Sequence, residues 1–223
     1  MKKPKELRVV TWNINSVRLR IAQLAQVAAE LAPDIVCLQE TKVEDQHFPH
    51  AAVAELGFAH RLVRGIKGYN GVAILSRLPL VPLKSKDWCG KADGRHVAAK
   101  IDCGGAEIEI QNFYVPAGGD IPDPEENDKF AHKLAFLDEM ADWSGARRSR
   151  PVILVGDLNV APLETDVWSH AALLKVVSHT PVEVARLTGI MEARPWVDAV
   201  RHFVPEPERL YTCLLYTSPS PRD

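Results

Sequence analysis

Three oxygen-bearing side chains stand directly after apolar-rich runs that are typical of buried strands. They are Asn13, Glu40 and Asp157, and Asn159 follows two residues after Asp157. Ligands collect outside the carboxyl ends of the strands in layered α/β sheets, so we expect these side chains to converge on one site. Their donors are hard oxygen ligands, which favour Mg²⁺ or Mn²⁺ over zinc. The alternative is an ordinary strand-to-loop turn at each position, where Asp and Asn are common.

The chemistry that such a site favours is hydrolysis of a phosphate ester. Magnesium is usually held by one or two carboxylates together with oxygens of a substrate phosphate. Glu40 and Asp157 supply that number of carboxylates. The metal and the protein dipoles then stabilise the charge that develops in the transition state.

A strand–helix–strand unit at the start of the chain predicts how two of these residues meet. The first strand is predicted over Leu7–Asn15, and Ser16 is predicted to cap a helix that Pro33 ends. The second strand, Ile35–Gln39, runs straight into Glu40. Two strands joined through a helix can lie parallel, which brings their carboxyl ends together.

The middle of the chain is dense in predicted strands, and helices bracket it. Asp123-Pro124-Glu125-Glu126 has the acid, the proline and the first-turn acids of a helix start, and Gly145 is expected to close that helix. A short helix is predicted over Pro49–Leu56. Strands are predicted over Phe58–Val63, Val72–Ser76, Val81–Lys84, His96–Asp102, Ala106–Tyr114 and Val152–Val155. Short helical pieces are predicted over Val167–Val177, Pro181–Thr188 and Pro195–Val200.

Composition narrows the class of protein. The chain has 223 residues, of which 46% are hydrophobic, and this suits one substantial folded domain. Lys plus Arg number 27 against 29 for Asp plus Glu, so nucleic-acid binding by overall basicity is excluded, whereas a local basic rim is not. We find no run long enough to span a bilayer, no signal peptide and no close pair among the four cysteines. We expect a reduced, cytoplasmic, monomeric protein without membrane contact.

Five motifs, in the same order along the chain, resemble the successive signatures of the exonuclease III family. This family comprises apurinic/apyrimidinic (AP) endonucleases within the larger endonuclease/exonuclease/phosphatase superfamily. The resemblance covers positions 8 to about 212, and the five motifs together are far more specific than any one of them. They are Trp12-Asn13-Ile14-Asn15-Ser16-Val17-Arg18, Leu38-Gln39-Glu40-Thr41-Lys42, Gly68-Tyr69-Asn70-Gly71-Val72-Ala73-Ile74-Leu75-Ser76, Asn112-Phe113-Tyr114-Val115-Pro116 and Gly156-Asp157-Leu158-Asn159-Val160-Ala161-Pro162.

The resemblance implies a fold and an activity. The fold is α/β, a four-layer α-β-β-α sandwich of two mixed sheets with the site at one end. The activity is Mg²⁺-dependent cleavage of duplex DNA 5′ to an abasic site, with 3′→5′ exonuclease or 3′-phosphatase side activity. The implied partner is therefore duplex DNA, especially DNA that contains abasic sites.

The resemblance also implies roles for individual residues. Glu40 resembles the principal metal ligand, and Asn13 helps to hold the metal or the scissile phosphate. Tyr114 resembles the tyrosine beside that phosphate, Asp157 the residue that orients or deprotonates the attacking water, and Asn159 the amide that steadies the oxyanion. The predicted catalytic residues are thus Tyr114, Asp157 and Asn159, and the predicted metal ligands are Asn13, Glu40, Asp157 and Asn159.

Contacts with DNA phosphates are predicted for five further residues, because positively charged and amide side chains are frequent phosphate partners. The alternative for each is a solvated surface position. They are Asn15, Arg18, Lys42, Asn70 and Arg95.

The end of the sequence departs from the family pattern. Past Leu210-Tyr211-Thr212 the family continues with an Asp-containing strand and a closing Ser-Asp-His signature, and no Asp-His dipeptide occurs in this sequence. We expect an incomplete family domain over 1–212, without its C-terminal strands, and an unrelated disordered tail over 213–223. Weak or absent activity of this chain is expected, because loss of a transition-state-stabilising group typically costs orders of magnitude in rate.

Two other functions are compatible with the sequence. One is a superfamily phosphatase that acts on small phosphoesters, since the phosphoester chemistry is shared. The contexts of Glu40 and Tyr114 within their motifs favour DNA over that alternative. The other is a non-catalytic DNA-binding fragment, which would bind duplex DNA in a salt-sensitive manner without metal-dependent nicking.

Overall fold

A computed structural model describes residues 6–146 and 151–211 of the chain. The described residues form eight strands, β1 to β8, over Val9–Asn13, Ile35–Gln39, His60–Arg64, Val72–Ser76, Val81–Pro82, His96–Asp102, Glu107–Tyr114 and Val152–Asp157. They also form six α-helices, α1 to α6, over Ile21–Leu31, His50–Glu55, Asp128–Gly145, His170–Leu173, Pro181–Glu192 and Ala199–Phe203.

These elements belong to two compact units that interleave along the chain. The first contains the described residues of Met1–Val115 and Ser149–Leu158, and the second those of Pro116–Arg148 and Asn159–Asp223. All eight strands and helices α1 and α2 lie in the first unit, and helices α3 to α6 lie in the second. The single domain over 1–212 stays a prediction, and the predicted tail over 213–223 lies outside the described residues.

The first unit contains two four-stranded mixed sheets, as predicted. The first sheet has the order β1-β2-β4-β3 and the second the order β5-β6-β7-β8. Strands β1 and β2 are parallel, with Asn13 opposite Gln39, so both strands end at the same edge. Strands β7 and β8 are also parallel, with Tyr114 opposite Asp157. The remaining pairs are antiparallel.

Strand β2 is buried on both faces, which explains the apolar run Ile35–Leu38 that precedes its last residue, Gln39. On one face, Val36 and Leu38 pack into a core formed with helices α1 and α2. On the other face, Ile35 and Cys37 join a second core, to which both sheets contribute. The first unit therefore has three layers, a helical layer and two stacked sheets.

Helix α1 begins later than the sequence predicts. Ser16 does not cap it, because Asn15 and Ser16 adopt left-handed backbone conformations with φ of 45° and 84°. The Ser16 amide donates to the Glu40 carbonyl instead, at 2.7 Å. The first turn of the helix starts only at Ile21, after Arg20, which provides no side-chain cap.

The helices of the second unit also differ from prediction at their ends. Asp123 closes a turn rather than capping α3, because its carbonyl accepts from the Asn127 amide at 2.9 Å. The side chain of Asn127 is the cap, accepting from the Lys129 amide at 3.0 Å. Helix α4 is shorter than the helix predicted over 167–177, and α5 extends beyond the helix predicted over 181–188. Helix α6 begins after Asp198, whose carboxylate caps it, and not at the predicted start at residue 195. Within the described residues, no helix is both long and apolar enough to cross a bilayer.

The close approach of β7 and β8 depends on Gly156. Its φ is +143°, and a Cβ at this position would lie 2.8 Å from the carbonyl carbon of Phe113 and closer still to its oxygen. These atoms belong to the backbone of a buried strand, so they have little room to move. The residue before Asp157 must therefore lack a side chain.

We predict that Gly156→Ala lowers the free energy of unfolding by about 2–4 kcal/mol, because overpacking and backbone strain add at this position. Urea denaturation measures the change. Gly189→Ala is the matched control, since Gly189 lies within α5 with open space around its α-carbon. That variant is expected to gain about 0.5–1 kcal/mol. Equal stability of Gly156→Ala and the parent would contradict the prediction.

Candidate active site

The ends of three strands meet through one amide group in the first unit. Asn13, the last residue of β1, donates from Nδ2 to Glu40 Oε1 at 2.8 Å and to Asp157 Oδ2 at 2.8 Å. Glu40 follows β2, and Asp157 ends β8. The predicted convergence of these three side chains is therefore present in the structure. Two carboxylates share a single neutral donor, which draws them together without adding charge.

Tyr114 completes this group from the end of β7. Its hydroxyl donates to Glu40 Oε1 at 2.9 Å, and its ring is largely buried, with 8% of the residue exposed. The Arg95 guanidinium lies over the ring, 4.9 Å from its centroid, and Nη1 donates to the Tyr114 carbonyl at 3.3 Å. Arg95 is itself paired with Asp93. The tyrosine is thus held by contacts to both its side chain and its backbone.

The two ionisable groups in contact have pKa values that move in opposite directions. Partial burial acts to raise the pKa of Glu40, but hydrogen bonds from Asn13, Lys42 and Tyr114, with the charge of Lys42, outweigh it and lower the pKa. Burial raises the pKa of Tyr114, and the charges of Glu40 and Asp157 and the hydrogen bond to Glu40 raise it further, against a lowering effect of Arg95. Near neutral pH, Glu40 is therefore an anion and Tyr114 a protonated hydrogen-bond donor.

Lys42 joins the loops that follow β1 and β2. Its Nζ lies 2.8 Å from Glu40 Oε2 and donates to Asn15 Oδ1 at 2.6 Å. Glu40 and Lys42 have φ of 53°, and Asn15 has φ of 45°, so these loops follow tight left-handed paths. Their backbones are cross-linked, since the Ser16 amide donates to the Glu40 carbonyl at 2.7 Å and the Val17 amide to the Thr41 carbonyl at 3.2 Å. The carboxylate of Glu40 thus sits on a fixed loop rather than a free one.

Two buried amides behind the carboxylates were missed by the sequence analysis. Gln39 Nε2 donates to Asn112 Oδ1 at 2.7 Å, which joins the first sheet to the second. Asn112 Nδ2 in turn donates to the carbonyls of Leu38 and Ala73, at 3.0 Å each. Both amide side chains are almost completely buried. The available signal for Gln39 was a polar residue at the end of an otherwise apolar strand, whereas β7 carries several other polar residues and did not single out Asn112.

The donor set fits a hard divalent cation of the predicted kind. Glu40 and Asp157 offer carboxylate oxygens at one place. Residues 6–146 and 151–211 contain no cluster of three or more His, Cys, Asp or Glu side chains that would enclose a metal. Such a set suits Mg²⁺ or Mn²⁺, which keep waters and substrate phosphates among their ligands. Asn13 presents its nitrogen to the carboxylates, while its oxygen accepts from the Asn15 amide at 3.2 Å.

The structure places the five predicted DNA-contact residues in different surroundings. Asn15 and Lys42 contact each other beside Glu40, and Arg95 lies beside Tyr114. Arg18 is exposed in the turn before α1. Asn70 is 7% exposed, and its Nδ2 donates to the Asp93 carbonyl at 3.0 Å, so the structure shows it supporting a loop. All five DNA contacts stay predictions.

Asn159 belongs to the second unit and is described there. It has a left-handed backbone, with φ of 52°, and its carbonyl accepts from Lys133 Nζ at 2.6 Å. Its predicted roles in catalysis and metal binding stay predictions.

Two mixed sheets with a carboxylate-rich site at the strand ends define an α/β protein of the kind predicted. The chain belongs to the Endonuclease/Exonuclease/phosphatase family, whose family model matches residues 10–218. That match includes part of the segment which the sequence analysis set apart as a tail.

Similar proteins include nucleases from several organisms. The chain is 29% identical over 169 residues to the protein named exodeoxyribonuclease III of Haemophilus influenzae, a match that covers 72% of this chain and 60% of that relative. It is similar to the structure of an AP endonuclease from Archaeoglobus fulgidus, with a TM-score of 0.83 and 34% identity over 96% of this chain and 80% of that one. It is also similar to the 3′ phosphatase NExo from Neisseria bound to product DNA hairpin, with a TM-score of 0.74 and 27% identity over 84% and 71% of the respective chains.

We predict that Tyr114→Phe raises the pKa of Glu40, because it removes a hydrogen bond to the ionised carboxylate. Lys42→Met should raise the pKa further, since it removes a charge as well as a hydrogen bond. Carboxyl ¹³C chemical shifts followed through a pH titration measure both changes. Tyr69→Phe is the control, because Tyr69 is 61% exposed and is not among the groups that shift Glu40. An unchanged titration of Glu40 in Tyr114→Phe would contradict the assignment.

The same pKa shift sets a pH dependence of stability. The pKa of Glu40 is lower in the folded protein than the unperturbed value of about 4.3. Its ionised form therefore stabilises the fold above about pH 4.3, and this stabilisation is lost as the pH falls through the folded pKa. Tyr114→Phe removes one of the hydrogen bonds that cause this stabilisation. The parent should therefore exceed Tyr114→Phe in free energy of unfolding by a larger amount above about pH 5 than in stronger acid, where Glu40 is protonated.

Proposed function

We propose that the chain is a phosphodiesterase of DNA repair that cleaves duplex DNA 5′ to abasic sites with a divalent metal, Mg²⁺ or Mn²⁺, and has 3′→5′ exonuclease activity. The observation that supports it best is the Asn13 amide, which holds the carboxylates of Glu40 and Asp157 at a common point beside Tyr114. Family membership and the names of the similar nucleases support the substrate class.

The two carboxylates suit two different tasks. Glu40 would hold the metal, because its lowered pKa keeps it an anion. Asp157 would orient the attacking water and accept its proton, a role open to a carboxylate within hydrogen-bond reach of that water. A bound hard cation would stabilise the charge that develops on the phosphate and activate a water molecule.

The remaining polar groups would bind and orient the phosphate. The Tyr114 hydroxyl is a neutral donor in a partly buried position, so it can donate to a phosphate oxygen without adding charge. Lys42 and Arg95 supply positive charge on either side of Glu40 and Tyr114. The amide of Asn159 would donate to a non-bridging oxygen in the transition state.

The chain spans 60% of the length of the exodeoxyribonuclease from Haemophilus influenzae. The activity, the abasic substrate, a monomeric state and a cytoplasmic location are accordingly parts of this proposal.

A second function, hydrolysis of a 3′-phosphate, is favoured by the similarity to the Neisseria structure, which is that of a 3′ phosphatase. The same carboxylates and phenol would serve, because the bond broken is again a phosphate ester. The two functions differ in the bond that is attacked, which is an internal phosphodiester in one case and a terminal 3′-phosphate ester in the other, so one labelled duplex of each kind separates them.

We predict that the purified chain nicks a labelled duplex at an abasic site in the presence of Mg²⁺, and that EDTA abolishes the nicking. Electrophoresis of the products locates the cut, which should lie 5′ to the abasic site. An exonuclease III homologue run in parallel provides the reference rate. Cleavage of p-nitrophenyl phosphate but not of DNA would support a small-molecule phosphatase. Salt-sensitive binding without nicking would support a non-catalytic DNA-binding protein.

We predict that Asp157→Asn lowers kcat about 10²–10⁴-fold, the range typical of a general base, while duplex binding changes little. Single-turnover nicking and fluorescence anisotropy measure the two quantities. Asp142→Asn is the matched control, because Asp142 is an exposed acid on α3. An equal loss in both variants, or no loss in Asp157→Asn, would exclude Asp157 as the base.

A further inference from the structure

The second unit contains a completely buried ion pair that the site described above does not use. Lys133 of α3 and Glu183 of α5 have no exposed side-chain surface, and Nζ lies 2.5 Å from Oε1. Burying two charges is costly even when they are paired, and apolar residues of the same size often stabilise a fold at least as well. The pair therefore calls for an explanation other than stability.

The burial of the Glu183 carboxylate is explained by its role in capping its own helix, α5. Its oxygens accept from the Ser178 amide at 2.8 and 2.9 Å and from the Thr180 amide at 3.2 Å. The Thr180 hydroxyl donates to Oε2 at 2.6 Å, which completes a capping box at the start of α5. These contacts require an acceptor at position 183, but they do not require a cation at position 133.

The ammonium of Lys133 joins three loops instead. Besides Glu183, it donates to the Asn159 carbonyl at 2.6 Å, to the Ala117 carbonyl at 3.2 Å and to Ser178 Oγ at 3.2 Å. The shortest of these three hydrogen bonds goes to Asn159. A hydrogen bond from a charged donor is roughly twice as strong as a neutral one, so this contact restrains the carbonyl of Asn159 firmly.

The backbone that Lys133 holds is in a conformation that needs support. Asn159 has φ of 52°, in the left-handed region, where residues other than glycine are disfavoured. The stem of Lys133 is also confined, because a Cβ at Gly118 would lie 2.9 Å from Lys133 Cδ. The ammonium thus reaches Asn159 along a closely packed path.

We infer that Lys133 is a positioning residue that fixes the turn at Asn159, and through this turn the direction of the Asn159 side chain. Glu183 keeps the ammonium in place while it caps α5. The inference rests on the proposed function, because that function gives the Asn159 amide its task on the phosphate. The inference gives a role to Lys133, which lies 26 positions before Asn159 in the chain.

The test uses a double variant, since Lys133→Met alone leaves the Glu183 carboxylate buried without its cation and should lower Tm by about 10 °C. Lys133→Met/Glu183→Gln removes both charges and keeps an acceptor for Ser178 and Thr180. This variant should unfold within about 5 °C of the parent. Its kcat for abasic-site nicking should nevertheless fall about 10–100-fold, with KM within about threefold, as expected when only transition-state contacts are lost.

A double-mutant cycle distinguishes a specific effect of Lys133 on Asn159 from a general destabilisation of the fold. Asn159→Ala in the parent should lower kcat, and adding it to Lys133→Met/Glu183→Gln should cause little further loss, because both changes remove the same contact. Full additivity would overturn the inference. Arg186→Met/Asp138→Asn is the control, since it removes an ion pair between the same two helices that is partly exposed. It should leave kcat unchanged.

Hydrogen exchange gives a readout that does not depend on activity. Amides of residues 158–163 should exchange at least about tenfold faster in Lys133→Met/Glu183→Gln than in the parent, with β2 unchanged. Unchanged exchange in this segment would overturn the inference, and so would an unchanged kcat in an active protein. If the parent does not cleave DNA at all, the proposed function fails, while the exchange experiment still decides whether Lys133 fixes the turn.

Discussion

The site depends on one neutral donor between two carboxylates. Glu40 and Asp157 are like charges, and their proximity is stabilised because Asn13 donates one hydrogen bond to each. This requires that β1 end level with β2, and that β8 end level with β7. The two parallel registers supply both alignments, with Asn13 opposite Gln39 and Tyr114 opposite Asp157. The topology of the sheets thus determines where the two carboxylates lie.

The sheets are tied together directly behind that point by polar contacts rather than by apolar packing alone. The hydrogen bonds of Gln39 and Asn112 connect β2, β4 and β7 in a completely buried place. Loss of one partner would leave the other unsatisfied, at a cost of about 1–3 kcal/mol. Apolar side chains can slide past one another, whereas these amides bind at one register only. They therefore define the separation of Glu40 and Tyr114 across the two sheets.

The sequence could predict the site where a local pattern and the fold agree. Strand β2 begins as an apolar run and is followed by the acid Glu40, and its predicted bounds, Ile35–Gln39, are those of the structure. Prediction failed where contacts between residues far apart in the chain determine the local structure. Ser16 is a good cap locally, but pairing with the segment after β2 holds it outside α1. The contact of Lys133 with Asn159 carries no local signal, because the two residues lie 26 positions apart in the chain.

The core between the two sheets also contains a thiol. Cys37 is completely enclosed there, and burial raises the pKa of its thiol to about 12. The thiolate is the form that reacts with alkylating and oxidising reagents, so the folded protein protects Cys37 by its charge state as well as by steric exclusion. Modification at this residue must wait until the sheets separate. Cys37 is thus an intrinsic kinetic reporter of core opening.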